Sequence, residues 1–290
     1  MTIDVSVVIV TYNSRRHIDA CLASLREHTR GVTYEAIVVD NASVDGTAAH
    51  VAEAHPWARV IVRGSNAGLS YAVNEGVAAS SGRFVIALNP DTRIDADVLA
   101  PLTAYLSEHP DAGVVAPKLL DGDGALQLSC RAFPGYATAL FGRYSLLTKL
   151  LPGNRFSRGY LLSDFDHTTV RDVDWVSGAA LMFPREVFDR LGGWDAGFFL
   201  FNEDVDFCRR VNDAGLRVVY YPHVAVYHAI GISRRAPARI VIERHKSMWR
   251  YYRKHLRGNA VQDAVTAAGI VARCSFALGS RAIRTMIGRT

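Results

Sequence analysis

Around residue 200 the chain reads FFLFNEDVDFCRR: four bulky residues, Phe198 to Phe201, run almost directly into Glu203, Asp204 and Asp206, and Arg209 and Arg210 close the stretch. A carboxylate against an apolar wall is desolvated and more basic than usual, which suits proton abstraction. A helix start in water also gathers acids, because its free N–H groups favour negative charge. Two residues along a helix, Asp206 points away from Asp204 and is expected to pair with Arg209 or Arg210. A second acid, Asp91 in LNPDT, ends an apolar strand, where an unpaired carboxylate is costly. A divalent cation shared with a diphosphate would offset that cost, and a type I turn around Pro90 is the competing reading. A third, Asp40 in VVDNASVDGT, follows another buried strand and can accept from a base N–H or a ribose hydroxyl. Ser43 and Asp45 in the same stretch also suit a turn and a helix N-cap.

The elements that must position these groups alternate. Val5–Val10, Ala36–Asp40, Ala58–Val62 and Arg83–Asn89 are short, apolar and rich in Val and Ile, as buried strands are. Helical spacing fills the gaps over Ser14–His28, with Ile18, Cys21, Leu22 and Leu25 on one face, and over Thr47–Ala54 and Leu69–Ala79. This pattern predicts an α/β, mostly parallel sheet with helices on both faces and ligands beyond the carboxyl ends of the strands. Thr11-Tyr12-Asn13, Asp40 to Ser43 and Asn89 to Thr92 all fall at such ends. Further along, strands are expected over Gly113–Leu119, Ala179–Phe183 and Leu216–Tyr221, and a helix over Phe201–Ala214. Residues 126–163 are read as a basic, aromatic insertion outside the core. From Asn259 a final helix is expected, with Val261, Ala264, Val265, Ala268, Val271, Leu278, Ala282 and Met286 on one face and Arg273, Arg281 and Arg284 opposite. Such a helix can lie on an anionic membrane, cover a patch or pair with its twin.

With 290 residues and 49% hydrophobic content the chain can bury a large core. Cys21, Cys130, Cys208 and Cys274 are too scattered for a zinc ribbon and fit free thiols in a reducing compartment. The start, MTIDVSVVIVTYN, is read as a strand and not a signal peptide. No run of about twenty uninterrupted apolar residues suggests a spanning helix. A net charge of +5 is unevenly placed: 231–257 holds nine Lys or Arg against Glu243 alone. That balance suits an anionic partner such as phosphate or acidic lipid, or a solvated surface. Acids at the ligand edge argue against nucleic acid. The phosphate loop, the GxGxxG turn, the GxSxG elbow and HExxH are all absent, which removes the main support for kinase, dehydrogenase, serine-hydrolase and zinc-protease readings.

TYN, VVDNASVDGT, NAGLSYAVNEG, LNPDT, WVSGAALMF and GGWDAGFFLFNEDVDFCRR, in that order, resemble a family-2 inverting glycosyltransferase, and most closely its bacterial L-rhamnosyltransferase branch. The resemblance runs from about Ile3 to His255. It implies a GT-A fold over 1–256, with a nucleotide-sugar half (1–112) and an acceptor half (113–256), and residues 257–290 as an amphipathic appendage. It implies that Thr11, Tyr12, Asn13, Asp40, Asn41, Ser43 and Asp45 line the nucleotide, and that Asn66, Gly68 and Asn74 approach the ribose and donor sugar. Asp91 matches the last residue of the family's DxD metal motif, and Asn89 stands where the first Asp would be. His228, in VYHAIGIS, matches a histidine near the diphosphate that serves as a second ligand for Mn2+ or Mg2+, although a lone histidine is as easily structural. Asp204 matches the family's base, with Glu203 orienting the acceptor or acting as the base itself. Ser177 and Gly178 fall in the WVSGAALMF motif on the acceptor side. Trp175 and Trp194 are expected either to offer flat faces to sugar rings or to pack in the core. Ser233 and Arg234 are expected to contact phosphate. The resemblance further implies dTDP-L-rhamnose as donor, with another UDP- or GDP-hexose as the alternative. It implies a polyprenyl-diphosphate-linked saccharide as acceptor, at the inner face of the cell membrane. A non-catalytic nucleotide-binding module is the rival from another class.

Overall fold

The computed structural model describes residues 2–136, 155–229 and 237–287. Strands β1 (Val5–Thr11), β2 (Tyr34–Asp40), β3 (Arg59–Val62) and β4 (Phe84–Leu88) run parallel in the order β3-β2-β1-β4. They read as continuous apolar runs because helices cover both faces. Helix α1 (Ile18–His28) buries the expected Ile18, Cys21, Leu22 and Leu25, and α2 (Thr47–Ala54) and α3 (Leu69–Ala78) follow their strands. On α3, Gly76 permits close helix–sheet approach: a Cβ there would lie 2.5 Å from Val8 Cγ1.

The chain continues through β5 (Thr92–Arg93), α4 (Leu99–Glu108), β6 (Ala112–Leu120), β7 (Leu126–Gln127), β8 (Cys130–Arg131) and α5 (Arg155–Leu161). Then come β9 (Arg171–Asp172), β10 (Trp175–Val176), β11 (Ala180–Pro184), α6 (Arg185–Arg190), α7 (Glu203–Asp213) and β12 (Arg217–His228). Helix α8 (Ala238–Tyr251) passes through a π-helical turn, Tyr252–Leu256, into α9 (Ala260–Ile287). The ten-stranded sheet has the order β3-β2-β1-β4-β11-β6-β12-β5, with β7 and β9 attached to β6 and β12. Strand β11 is antiparallel to β4 and β6, while β6 and β12 are parallel. Both sequence halves therefore share one sheet.

Four differences from the sequence reading have physical reasons. Strand β12 is longer than expected because it absorbs a register shift between Tyr221 and Ala225, at Pro222, whose missing N–H breaks the ladder. Helix α4 was not anticipated, although Leu99, Leu102 and Leu106, all buried, have helical spacing. The segment 126–163 is not wholly outside the core: β7 joins the main sheet and Cys130 is fully buried, while 137–154 lie outside the described residues. Ala260–Ala282 is long and apolar enough to cross a membrane by length and composition, which a search for uninterrupted apolar runs overlooks. On α9, Val261, Val265 and Val271 are exposed as the amphipathic reading requires, but Ile270 is buried and Arg273 lies half-buried on the same side.

Candidate active site

The site begins where β2, β1 and β4 end side by side. Thr11 Oγ1 donates to Asp40 Oδ1 at 2.8 Å, and the Ser43 N–H donates to Asp40 Oδ2 at 2.9 Å. The loops then lock together: the Asn13 N–H donates to Ser43 Oγ, and the Val44 N–H to Asn13 Oδ1. Asp45 accepts from the N–H groups of Arg15 and Thr47, the latter the first residue of α2, so its turn reading holds, while the N-cap position falls to Gly46. Burial opposes its ionisation, but the Thr47 and Arg15 hydrogen bonds hold the Asp45 carboxyl below the ordinary range. Asn41 spans to the next loop, donating to Gly68 O and accepting from Ala67 N–H, while Asn66 Oδ1 accepts from Gly68 N–H. Asp40 and Asn41 are buried, while Tyr12, Asn13, Val44 and Asp45 are exposed along this wall.

Three expected sugar contacts are corrected. Asn74 is committed to the backbone of Trp194, which it both donates to and accepts from. Trp194 is 2% exposed and Trp175 8% exposed, with the Trp175 indole donating to Ala132 O, so both pack in the core and offer no open face. Ser233 and Arg234 lie outside the described residues.

Asp91 and His228 meet because β5 pairs antiparallel with the end of β12, setting Thr92 opposite His228. Asp91 Oδ1 lies 3.4 Å from His228 Nε2, and both side chains are about four-fifths buried. Asn89 Oδ1 is not drawn into this pair; its amide Nδ2 sits 3.3 Å from His228 Nε2. On the far side of the ring, Nδ1 is 3.0 Å from Gln127 Oε1, so a proton on Nδ1 leaves the Nε2 lone pair facing Asp91. Gln127 also donates to His228 O. One carboxylate oxygen and one imidazole nitrogen, so oriented, fit a divalent cation. The turn reading of LNPDT holds as well, since Thr92 N–H donates to Asn89 O. Sequence reasoning missed Gln127 because only the β6–β7 hairpin brings it beside β12.

The opposite wall is built on α7. Phe201 and Asn202 both have positive φ, 70° and 64°, which turns the chain sharply into Glu203. Ahead of that turn Phe198 is fully buried, and the carbonyls of Phe198 and Phe199 accept from Ser70 Oγ and the Leu69 N–H. Gly68 makes that approach possible, with φ of 94° and no Cβ, since one would fall 2.6 Å from Phe199 O. Asp204 Oδ2 accepts from the Gly178 N–H at 2.9 Å and Oδ1 from Val205 N–H at 2.8 Å. The neighbouring Ala179 carbonyl accepts from the Asn89 N–H. Gly178–Ala179 is thus the strip joining Asp204 on one side to Asn89 and Asp91 on the other.

The three acids differ sharply. Glu203 is 4% exposed, and among the described residues its Oε2 has no hydrogen-bond partner. Burial pushes its carboxyl well above the ordinary range, and the adjacent Asp204 charge adds to the effect. Burial also raises Asp204, against the Gly178 and Val205 amides and the charge of Arg131. Asp206, fully buried, bonds Arg210 (2.9 Å), Lys254 (2.7 Å) and His255 (2.7 Å), which bears out the structural pairing with Arg210. Burial resists its ionisation, but His255, Lys254 and Arg210 hold its carboxyl below the ordinary range. Arg209 pairs with Asp213 instead.

With this geometry in place, likeness to known proteins narrows its meaning. Residues 6–129 match the description "Glycosyl transferase family 2" and residues 84–260 match "Glycosyl transferase family group 2". The N-acetylglucosaminyl-diphospho-decaprenol L-rhamnosyltransferase of Mycobacterium tuberculosis is 31% identical over 261 residues, covering 86% of this chain and 84% of that protein. A dTDP-rhamnosyl transferase of Shigella flexneri, RfbF, is 25% identical, covering 87% and 78%. Among solved structures, a mannosyltransferase from Pyrobaculum calidifontis with GDP-Man and Mn2+ superposes at TM-score 0.60 and 19% identity, over 99% of this chain and 81% of that one. GalNAc-T7 with UDP, GalNAc and Mn2+ superposes at 0.62 and 17% identity, over 87% and 49%. The fold is that of these GT-A enzymes, and the chain belongs to the family-2 glycosyltransferases, in their rhamnosyltransferase branch.

Proposed function

We propose that this glycosyltransferase moves L-rhamnose from dTDP-L-rhamnose to a polyprenyl-diphosphate-linked saccharide, with inversion, in cell-wall or surface polysaccharide synthesis. The observation that carries the mechanism is the Asp204 carboxylate held by two backbone amides next to a buried Glu203 carboxyl whose Oε2 has no partner among the described residues. Asp204 takes the proton of the acceptor hydroxyl as its oxygen forms the new bond to the anomeric carbon. The bond from that carbon to the diphosphate breaks, and the nucleoside diphosphate leaves. Asp204 needs to be the charged member of the pair, and Glu203, buried and beside that charge, holds the proton. Thr11, Asp40, Ser43 and Asn13 shape the nucleotide wall. Asp91 and His228 would hold Mn2+ or Mg2+, which neutralises charge on the departing diphosphate.

The relatives support the donor and acceptor: one is named for a diphospho-decaprenol substrate and L-rhamnosyl transfer, the other for dTDP-rhamnose. An acceptor on a lipid carrier suits a chain that presents Val261, Val265, Val271 and Phe276 to solvent on its last helix. We place the protein at the cytoplasmic face of the membrane, bound peripherally through this helix, without nucleic-acid partners. A panel of dTDP-, UDP- and GDP-sugars, tested by product formation with a decaprenyl-diphosphate-linked N-acetylglucosamine acceptor, checks the reading. dTDP-L-rhamnose is expected to give the highest kcat/KM. Preferred turnover of a UDP- or GDP-hexose would replace the donor assignment and leave the transferase reading intact.

A further inference from the structure

A second set of ligating atoms converges away from this site. Asp19, in the first turn of α1, accepts on one oxygen, Oδ1, from two imidazoles: His50 Nε2 at 2.5 Å and His55 Nε2 at 3.0 Å. The three ligand atoms lie within 4.8 Å of one another. Five residues apart, His50 and His55 would diverge by about 140° on a continuous helix. They converge because α2 ends at Ala54 and His55 leaves it with φ −129° and ψ 60°. Edge-on ring contacts then fix the imidazoles, His50 against His55 at 6.3 Å and His55 against Trp57 at 6.5 Å.

The cluster is separate from Asp91 and His228. Cys21 on α1 turns inward to Asn89 O and Thr92 Oγ1. Asp19, two residues earlier, points about 200° around the helix, toward α2.

We propose that Asp19, His50 and His55 form a binding site for a borderline divalent transition cation, with Zn2+ the best match. Two imidazole nitrogens and one carboxylate oxygen are the donor set such ions select, while Mg2+ and Ca2+ prefer oxygen alone. Ligation would use the two Nε2 lone pairs, so the ion would replace the Nε2–H bonds to Asp19 and each ring would carry a proton on Nδ1 instead. Arg15 Nη1 occupies Asp19 Oδ2 at 3.2 Å and leaves Oδ1 for the ion. The Asp19 side chain is 48% exposed, against 20% and 13% for the histidines, so water can complete the coordination. The ion would staple α1 to α2. These helices follow the loops joined by Ser14 N–H to Thr47 Oγ1 and Arg15 N–H to Asp45. The site does not depend on the transfer reaction, and its test need not measure activity.

The full chain carrying Asp91→Ala and His228→Ala, stripped with EDTA, is titrated with Zn2+ while thermal unfolding is followed. At a hundredfold excess over Kd the midpoint should rise by roughly 4–5 °C, and Mg2+ should leave it unchanged. Adding His50→Ala and His55→Ala should abolish the Zn2+ response, with far-UV circular dichroism confirming the fold. Co2+ added to the chain that keeps both histidines should give visible absorption bands that Zn2+ displaces. A Zn2+ response that survives loss of both histidines, or none while they are present, overturns the proposal.

Discussion

Glu203 and Asp204 are neighbours in sequence with unequal surroundings, and adjacent carboxyls so placed do not share charge equally. Asp204 has two amide donors and, among the described residues, Glu203 Oε2 has none. Replacing Asp204 by Asn should therefore lower kcat by about 10²–10⁴-fold while donor affinity, measured by calorimetry, stays near the wild-type value. Near-normal turnover would dismiss Asp204 as base. Glu203 adds a pH dependence of stability. Its folded-state pKa lies above its unfolded value. Its contribution is thus complete below the unfolded pKa and disappears as pH rises through the folded one. Glu203→Gln should raise the melting temperature more at pH 8 than at pH 5, and equal shifts would contradict the buried protonated acid. Asp91→Ala should weaken the Mn2+-supported part of donor binding by about tenfold, roughly one charge-assisted contact, in titrations with and without the ion.

At the scale of elements, the position of α7 depends on what holds its buried side. Asp206 draws Arg210 from its own helix and Lys254 and His255 from the π-helical turn after α8. Asp195 takes Arg250 and Lys254 in the same way. Removing the acid at 206 takes the carboxylate from the largely buried Arg210 and the hydrogen-bond partner from the buried His255, so Asp206→Ala should cost about 3–5 kcal/mol in urea unfolding. A loss below about 1 kcal/mol would mean that the cluster behaves as a surface ion pair. The Asp206 carboxyl is held low by its partners. Its stabilisation is therefore present above the unfolded pKa and fades as pH falls through the folded one.

For the whole molecule, much of the basic excess at the C-terminal end is paired with acids of the same chain. Among the described residues, Lys246, Arg250, Arg253, Lys254 and Arg257 face Glu243, Asp195, Asp206 or Asp263. Arg239 lies over the Phe199 ring. Sequence charge alone therefore overstates the free positive surface, and membrane attachment falls more heavily on the apolar face of α9. Val265→Asp with Val271→Asp should reduce flotation with anionic vesicles by about tenfold or more, while the fold is kept because both side chains are exposed. Undiminished flotation would move the contact elsewhere, and a change from dimer to monomer would assign this face to a second copy.

Periodicity alone determined the first four strands, the helices between them and the polar strand ends, because helix and strand periods and β-branched composition are local properties. The ordered motifs pointed to the family and to Asp204 as the acid of interest. Only the tertiary structure distinguished what side chains of the same type do. Asn74 and Asn41 hold loops together, Trp175 and Trp194 fill the core, and Gln127 orients His228. The antiparallel pairing of β5 with β12 decided that Asp91 meets His228, and the Gly178 amide on a distant loop decided which carboxyl of α7 is held by the backbone. Residue type and spacing record which groups a chain owns, but hydrogen-bond partners and burial depend on segments far apart in sequence, and those set whether an acid is a base, a proton holder or an ion-pair anchor.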